Sequence, residues 1–180
     1  MKHLYYIRHG QSVANAQDHW GGQLDTPLTE LGIQQAKETA LKAKQQGLSF
    51  DVIVSSPLSR AHDTAKQVAQ ATGYPINDII THDQFVERSF GILEDTESPE
   101  AVKLYLQDEA LIDPIQDVER LVDLQWRAQK ALDYLQNLPH DTILVVGHGA
   151  YGRALWRAIN KQPLHELGTR MANAEITKLI

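Results

Sequence analysis

Short runs of strand-forming apolar residues alternate along the chain with segments whose apolar residues recur at helical spacing. The predicted strands are Leu4–Ile7, Asp51–Ser55, Ile79–Val86, Thr142–Val146 and Ala174–Leu179. The fourth is the most apolar run, which is typical of a strand buried on both faces of a parallel sheet. Because strands and helices alternate, the pattern predicts an α/β fold with helices on both faces of the sheet.

Capping residues and glycines delimit the predicted helices. Thr29 is a suitable N-cap, Ile33 begins the apolar spacing that follows it, and Gly47 ends the helix. Three further helices are predicted over about 59–72, about 118–137, and from 149 through 159. Trp126 lies off the apolar stripe of its helix, and we expect it to be a packing residue rather than a ligand stacker.

Two segments depart from this alternation. Residues 11–27 are rich in Asn, Asp, Gly and Gln and predict a loop, whose length above the usual range favours a functional role. The sequence Ser-Pro-Glu at 98–100 is a good start for a short helix that would end near Asp108. We therefore predict a single domain over residues 1–180 with a small helical insertion at about 92–116.

Composition narrows the classes of function. Lys and Arg number 17 against 23 Asp and Glu, and the formal charge of −6 argues against a general nucleic-acid binder. A local cationic pocket can nevertheless bind a small anionic substrate. The absence of cysteine excludes thiolate catalysis and Cys-ligated zinc. No apolar run approaches the roughly 20 residues of a membrane helix, and no signal-peptide pattern precedes the first strand, so we expect a cytoplasmic protein without membrane attachment.

Five polar residues follow the predicted strands at the point where each strand ends. Arg8 and His9 follow the first strand, Arg60 the second, Glu87 the third and His148 the fourth. Ligands of open α/β sheets bind outside the carboxyl ends of the strands, so we expect these side chains to share one crevice. Guanidinium groups match phosphate oxygens, an imidazole can be a nucleophile or a donor, and a carboxyl group can protonate a leaving oxygen. The set therefore suits phosphoryl transfer through a histidine.

Arg60 lies in the first turn of its predicted helix, where the helix dipole disfavours a cation. An anion bound between the guanidinium and the helix end would account for this placement. A solvated arginine at the surface is the alternative.

Five segments together resemble one known family. They are Arg8–Ser12, Asp25–Gly32, Ser55–Ala61, Glu87–Gly91 and Val146–Gly149. In this order they resemble the motifs of the histidine phosphatase superfamily, the phosphoglycerate mutase-like family. Asn173–Ile176 resembles the start of the closing strand of that family. The resemblance extends over nearly the whole chain.

The resemblance implies an α/β three-layer sandwich: a mostly parallel central sheet, helices on both faces and one antiparallel strand. It implies that His9 becomes phosphorylated and that Glu87 is the proton donor. The phosphate pocket would be completed by Arg8, Arg60 and His148, and it would be lined further by Ser12 and Asn15. The family uses no metal, so the resemblance implies neither a metal nor a cofactor.

Two departures from the family pattern concern the choice of substrate. The family often has Trp before the asparagine that matches Asn15, and this chain has Ala14. A Glu-Gly pair usually follows the Phe-Gly motif, and this chain has Glu94 followed by Asp95. Glu94 is also the alternative proton donor. If the acidic segment over 94–117 covers the pocket, it favours a small, singly phosphorylated metabolite with a neutral or cationic body.

Three functions remain open: a phosphatase, a mutase, and a phosphate-binding module without turnover. Mutases of this family carry a larger insertion with basic groups, whereas residues 96–116 contain one basic residue, Lys103, which favours the phosphatase. Arg120 could reach the pocket and keeps the mutase open. A histidine-ligated metal site is disfavoured because the other histidines show no paired ligand motif. The sequence leaves the oligomeric state undetermined.

Overall fold

The computed structural model describes residues 2–98, 117–164 and 171–180. Its strands are β1 (His3–Arg8), β2 (Val52–Ser55), β3 (Ile80–Thr81), β4 (Thr142–Gly147) and β5 (Ile176–Lys178). They form one sheet in the order β3-β2-β4-β1-β5. Only β5 is antiparallel to its neighbour, β1, whereas the other described pairs are parallel. The predicted α/β fold with a mostly parallel sheet and one antiparallel strand is confirmed.

Apart from the short helix α1, the helices begin and end close to the predicted residues. They are α1 (Val13–Ala16), α2 (Glu30–Gln45), α3 (Ser59–Thr72), α4 (Leu121–Asn137) and α5 (Gly149–Asn160). The Thr29 hydroxyl caps α2 by accepting from the backbone N–H of Gly32, and left-handed Gly73 ends α3. The helix predicted from residue 98 to about 108 lies, beyond its first residue, outside the described residues. Among the described helices, none has the length and apolar character needed to cross a membrane.

Side chains alternate between two cores because successive residues of a strand point to opposite faces of the sheet. Tyr6 joins the core beneath α4 and α5, whereas its neighbour Ile7 joins the core beneath α3 and part of α2. Both side chains are fully buried. Successive side chains of β2 and β4 alternate between the same two cores. The sheet is therefore the middle layer between two layers of helices.

The third strand is much shorter than the predicted run over residues 79–86. Ladder pairing ends at Thr81, and residues Asp83–Phe85 form a 3-10 turn instead. The His82 side chain starts this turn by accepting a hydrogen bond from the Gln84 N–H at 3.1 Å. Phe85 is fully buried, so the apolar residues that suggested a strand here pack into the core from a turn.

Three other expectations are corrected. Trp126 is 65% exposed, because a residue off the apolar stripe of α4 faces solvent, and the Lys130 ammonium lies 5.5 Å from its ring. Ile33 is exposed because α2 packs through small residues such as Ala36 and Ala40. The loop predicted over 11–27 contains the short helix α1.

Direct contact between two backbone segments leads to a stability prediction. A Cβ atom added at Gly32 would lie 2.0 Å from the carbonyl oxygen of Gln11. We expect Gly32→Ala to lower the free energy of unfolding by about 2–3 kcal/mol, measured by urea denaturation, although alanine favours a helix. Gly21→Ala is the control, since the nearest atom there is the Ala14 Cβ at 3.3 Å. Equal losses in the two variants would contradict the prediction.

Candidate active site

The parallel register of β1 and β4 brings two histidines together. Arg8, the last residue of β1, pairs with Gly147, the last residue of β4. His9 continues this alignment, since its N–H donates to the Gly147 carbonyl at 2.9 Å. His148 follows Gly147, and the centroids of the two imidazole rings lie 5.1 Å apart. The predicted meeting of His9 and His148 at the carboxyl edge therefore follows from strand pairing alone.

The backbone defines the tautomer of His9. Its Nδ1 lies 2.6 Å from the carbonyl oxygen of Gly10, which can only accept a hydrogen bond. Nδ1 therefore carries the proton in the neutral ring, and Nε2 keeps a free lone pair. The pKa of His9 is lowered well below its ordinary value by burial first, and then by His148 and two arginines. A buried, neutral imidazole with a free Nε2 is a suitable nucleophile.

His148 is fully buried and held at three points. Its Nε2 lies 2.8 Å from the Ser56 hydroxyl, which also accepts a hydrogen bond from the Leu58 N–H. The Tyr6 hydroxyl donates to the His148 carbonyl at 2.7 Å and accepts from the His148 N–H at 2.7 Å. Burial first, and then nearby arginines, lower its pKa well below the ordinary value. Its buried Nδ1 has no hydrogen-bond partner among the described residues, which is unusual for a buried polar atom.

Arg60 is buried, with 2% of its surface exposed. It is therefore not the solvated surface arginine that the sequence left as an alternative, and its burial was not predicted. One terminal nitrogen donates to the Leu24 carbonyl and the other to the Gly22 carbonyl, both at 2.6 Å. The Asp25 carboxylate accepts from the Ser59 N–H at 2.7 Å and thereby supplies the anion that the start of α3 favours. The loop after α1 therefore wraps the start of α3 and holds the guanidinium in place.

Arg8 reaches the same edge of the sheet from β1. Its Nη1 donates to the Met171 carbonyl at 3.1 Å. A Cβ atom at Gly149 would lie 3.3 Å from the Arg8 Cζ, so glycine allows the guanidinium to pack against the start of α5. Arg8 and Arg60 are close enough to His9 and His148 for both to lower the histidine pKa values.

The carboxylate of Glu87 is held by backbone N–H groups. It accepts from its neighbour Arg88 at 2.9 Å, from Ala150 at 3.1 Å and from Tyr151 at 2.8 Å. Burial raises its pKa, but these three hydrogen bonds and the charge of Arg153 outweigh burial, and the pKa is lowered overall. Glu87 is therefore ionised at neutral pH and lies at the N-terminus of α5, which favours an anion.

Ser12 and Asn15 hold the loop after His9. The Ser12 hydroxyl accepts from the Asn15 N–H, and the Asn15 amide oxygen accepts from the Ser12 N–H, both at 3.3 Å. This reciprocal capping box starts α1. Asn173 donates both to the Asn15 amide oxygen at 3.3 Å and to the His9 carbonyl at 2.8 Å. The two predicted pocket residues are thus connected to the backbone of His9.

Glu94, the alternative proton donor, links two loops. Its Oε1 accepts from the N–H groups of Gln23 and Phe90, both at 3.0 Å. The Gln23 side chain in turn donates to the Glu87 carbonyl at 3.0 Å. Glu94 therefore supports the loop whose carbonyl groups bind Arg60.

Sequence reasoning missed several residues that support the site. Ser56 and Asn173 lay within segments compared with the family, but neither was assigned a role. Tyr6 was read only as part of a strand. Arg127 donates hydrogen bonds to the backbone near Glu87. No local sequence pattern indicates this role, because a partner such as Gln84 lies 43 positions away in the chain. Within the described ranges, no group of three or more metal-ligating side chains comes together.

The fold and site define an α/β protein with a largely buried cluster of two imidazoles, two guanidinium groups and a carboxylate at the carboxyl edge of its sheet. The model of the histidine phosphatase superfamily (branch 1) matches residues 4–180. The chain therefore belongs to the histidine phosphatase superfamily, as its motifs suggested.

Similar proteins carry two kinds of name. A probable phosphoglycerate mutase GpmB of Proteus mirabilis is 34% identical over 190 positions, covering 99% of this chain and 85% of that protein. A mycobacterial glucosyl-3-phosphoglycerate phosphatase, solved with VO3, superposes with a TM-score of 0.81 at 26% identity, covering 99% of this chain and 90% of that one. A phosphoserine phosphatase mutant from Entamoeba histolytica, solved with phosphoserine, has the same TM-score at 27% identity and the same coverage.

The two buried histidines lead to a prediction about stability and pH. Both have lowered pKa values in the folded protein, so below pH about 6.5 the unfolded chain binds protons that the folded chain does not. We expect the free energy of unfolding to fall on acidification below that pH, by up to about 1.4 kcal/mol per pH unit for each histidine. Above that pH, the two histidines should add no pH dependence to it.

Urea denaturation between pH 5 and 8 measures this effect, with pH steps of about one unit. His9→Asn should remove part of the slope, whereas His3→Asn, at an exposed position, should leave it unchanged. A slope that is identical in the wild type and His9→Asn would show that His9 is not buried as a neutral ring.

Proposed function

We propose that the protein hydrolyses a phosphomonoester of a small metabolite, without a metal, through a phosphohistidine at His9. The observation that carries the proposal is the hydrogen bond from His9 Nδ1 to the Gly10 carbonyl, which leaves Nε2 as a nucleophile. The buried Arg60, the half-buried Arg8 and His148, whose Nδ1 has no hydrogen-bond partner among the described residues, are near enough to the His9 ring to affect its pKa. The superfamily and the phosphatases among the structural neighbours agree with this chemistry.

In the first step, the lone pair of His9 Nε2 attacks phosphorus and a P–N bond forms. The P–O bond to the substrate body breaks, and its electron pair goes to the leaving oxygen, which takes a proton from Glu87. Arg8 and Arg60 stabilise the charge on the three remaining oxygens. Each bond from Arg60 to the loop uses one hydrogen of a terminal nitrogen that carries two, so both nitrogens keep a hydrogen for phosphate.

His148 would donate a hydrogen bond to the same phosphoryl group. The Ser56 hydroxyl accepts from the Leu58 N–H and can donate its own hydrogen to His148 Nε2. In this arrangement the proton of the neutral ring lies on Nδ1, the nitrogen without a partner. Ser56 is therefore assigned the role of selecting the tautomer of His148.

In the second step, water attacks the phosphohistidine. The P–N bond breaks, its electron pair returns to Nε2, and the Glu87 carboxylate takes a proton from the water. Inorganic phosphate leaves, and His9 is again neutral. Glu87 is protonated at the end of this step, and it releases the proton once phosphate leaves, because its carboxylate is ionised in the absence of a bound phosphoryl group.

The lowered pKa of Glu87 is consistent with this cycle once substrate is considered. Backbone N–H groups keep the carboxylate ionised in the absence of substrate. A phosphoryl group bound beside it brings negative charge, and a like charge raises the pKa of a carboxyl group. Glu87 therefore becomes a proton donor when the substrate is present, and a substrate that binds as its monoanion can supply the proton.

A phosphoglycerate mutase is the second candidate, because the relative from Proteus mirabilis is named as a probable member of that class. A mutase returns the phosphoryl group from His9 to the substrate before water attacks. The phosphatases among the structural neighbours favour hydrolysis, and their names refer to a phosphoglycerate ester and to phosphoserine. Phosphate esters of small hydroxy acids or amino acids are therefore the first substrates to test.

Phosphate release from a panel of phosphomonoesters, with EDTA present, tests the proposal in the wild type and in His9→Ala. We expect release by the wild type and none by His9→Ala. 3-Phosphoglycerate belongs in the panel, with 2-phosphoglycerate followed as a product. Isomerisation without release would favour the mutase, and tight phosphate binding without turnover would favour a binding module. Release that persists in purified His9→Ala would show that His9 is not the nucleophile.

Arg60→Met should weaken the binding of vanadate or phosphate at least tenfold, because it removes a buried charge that matches the anion. Lys66→Met is a matched control, since Lys66 lies on the same helix and pairs with Asp63 in a half-exposed position. Calorimetric titration of both variants gives the affinities. Equal affinity of Arg60→Met and the wild type would show that Arg60 holds only the loop.

A further inference from the structure

Arg127, on α4, has an acceptor for every N–H of its guanidinium. Nε and Nη2 bind the two carboxylate oxygens of Glu119 at 3.0 and 2.8 Å. Nη1 donates to the carbonyls of Gln84 at 2.9 Å and Val86 at 2.8 Å, and Nη2 also donates to the carbonyl of Glu87 at 3.2 Å. A guanidinium has five N–H donors, and all five are used here.

The same guanidinium also holds the residue that binds the Glu87 carboxylate. Its Cζ lies 5.0 Å from the centroid of the Tyr151 ring, within the range of a cation–π contact. The Tyr151 N–H donates to Glu87 Oε1 at 2.8 Å. Arg127 therefore contacts both the backbone of Glu87 and the start of α5, on which the Glu87 side chain rests.

Glu119 extends this support to the other side of Glu87. Its Oε2 accepts from the Ser89 N–H at 3.2 Å, and its carbonyl accepts from the Arg88 Nε at 2.8 Å. The pair of Arg127 and Glu119 thus binds the chain from residue 84 to residue 89. We call this ion pair the clamp.

The segment needs such support because it has no regular secondary structure of its own. Ladder pairing of β3 ends at Thr81, and the 3-10 turn ends at Phe85. Glu87 therefore lies on irregular backbone that no strand or helix of its own holds in place, although its carboxylate binds the start of α5. General acid catalysis requires the acid within hydrogen-bond reach of the leaving oxygen, so the position of this backbone governs the proton transfer.

We infer that Arg127 is a positioning residue for Glu87, and that the clamp sets the efficiency with which the leaving group is protonated. The inference rests on the proposed function. Lysine cannot reproduce the contacts of Arg127. Its three N–H donors lie on one nitrogen, whereas the planar guanidinium of Arg127 reaches three carbonyls and a carboxylate at once. The charge of Arg127 is balanced by Glu119, so we expect Arg127 to act on proton transfer through the position of Glu87 rather than through its own charge.

Dependence on the leaving group separates positioning of the acid from a general structural role. p-Nitrophenyl phosphate releases a phenolate that needs little protonation, whereas an alkyl phosphomonoester releases an alkoxide that depends on the acid. The measured quantity is kcat/KM, which includes the step in which the leaving group departs. Glu87→Gln is the reference variant and should lose about 100-fold or more on the alkyl ester and much less on the nitrophenyl ester.

We expect Arg127→Lys and Glu119→Gln to show the same discrimination as Glu87→Gln, with a loss on the alkyl ester at least about tenfold greater than on the nitrophenyl ester. Arg157→Lys is the matched control. Arg157, on α5, is also a buried arginine, 5% exposed, and its Nε donates to the Gln125 side chain of α4 at 3.0 Å. Its variant should not discriminate between the esters.

The outcomes distinguish the inference from the function on which it rests. Equal losses on both esters in Arg127→Lys, with discrimination by Glu87→Gln, would overturn the inference and leave the proposed function intact. No discrimination by Glu87→Gln would remove Glu87 as the acid, and the inference with it. Thermal unfolding of each variant identifies one that fails to fold, and the more conservative Glu119→Gln then decides the question by the same comparison.

Discussion

The burial of ionisable groups at the carboxyl edge of the sheet is the constraint on which the remainder of the site depends. A charged group taken out of water must be paired or hydrogen-bonded, because desolvation of the charge is otherwise uncompensated. Removing one partner of a buried ion pair costs on the order of 3–5 kcal/mol of stability. Arg60 and Glu87 meet this requirement with backbone groups: two loop carbonyls for the cation and three N–H groups for the anion. The loops therefore adopt conformations that serve the buried charges.

Histidines meet the same constraint in another way. Each buried imidazole stays neutral, and a single hydrogen bond then decides which nitrogen carries the proton. The Gly10 carbonyl does so for His9, and the Ser56 hydroxyl is suited to do so for His148. Neutral rings beside two guanidinium groups give a pocket that attracts a phosphoryl group and still offers it a lone pair.

The two departures from the family pattern lie in well-packed parts of the loops around the site. Ala14 is 2% exposed and packs against Gly21, so this position has room for a small side chain. Glu94 ties the loop at Gln23 to Phe90 with its carboxylate. A Cβ atom at Gly22, whose φ is +47°, would collide with that carboxylate. The residues at these two departures are therefore fitted to their neighbours.

The sequence by itself determined the order of strands and helices, the placement of His9, Arg60 and His148 after strand ends, and the family. These features depend on local periodicity and on residues adjacent to a strand. Tertiary structure decided the length of β3, the exposure of Trp126, the buried partners of Arg60 and the clamp of Arg127 and Glu119. These features depend on how the elements pack in three dimensions, as when Arg127 binds carbonyls more than 40 positions away. A buried polar atom takes whichever partner the fold brings to it, and no local pattern encodes that choice.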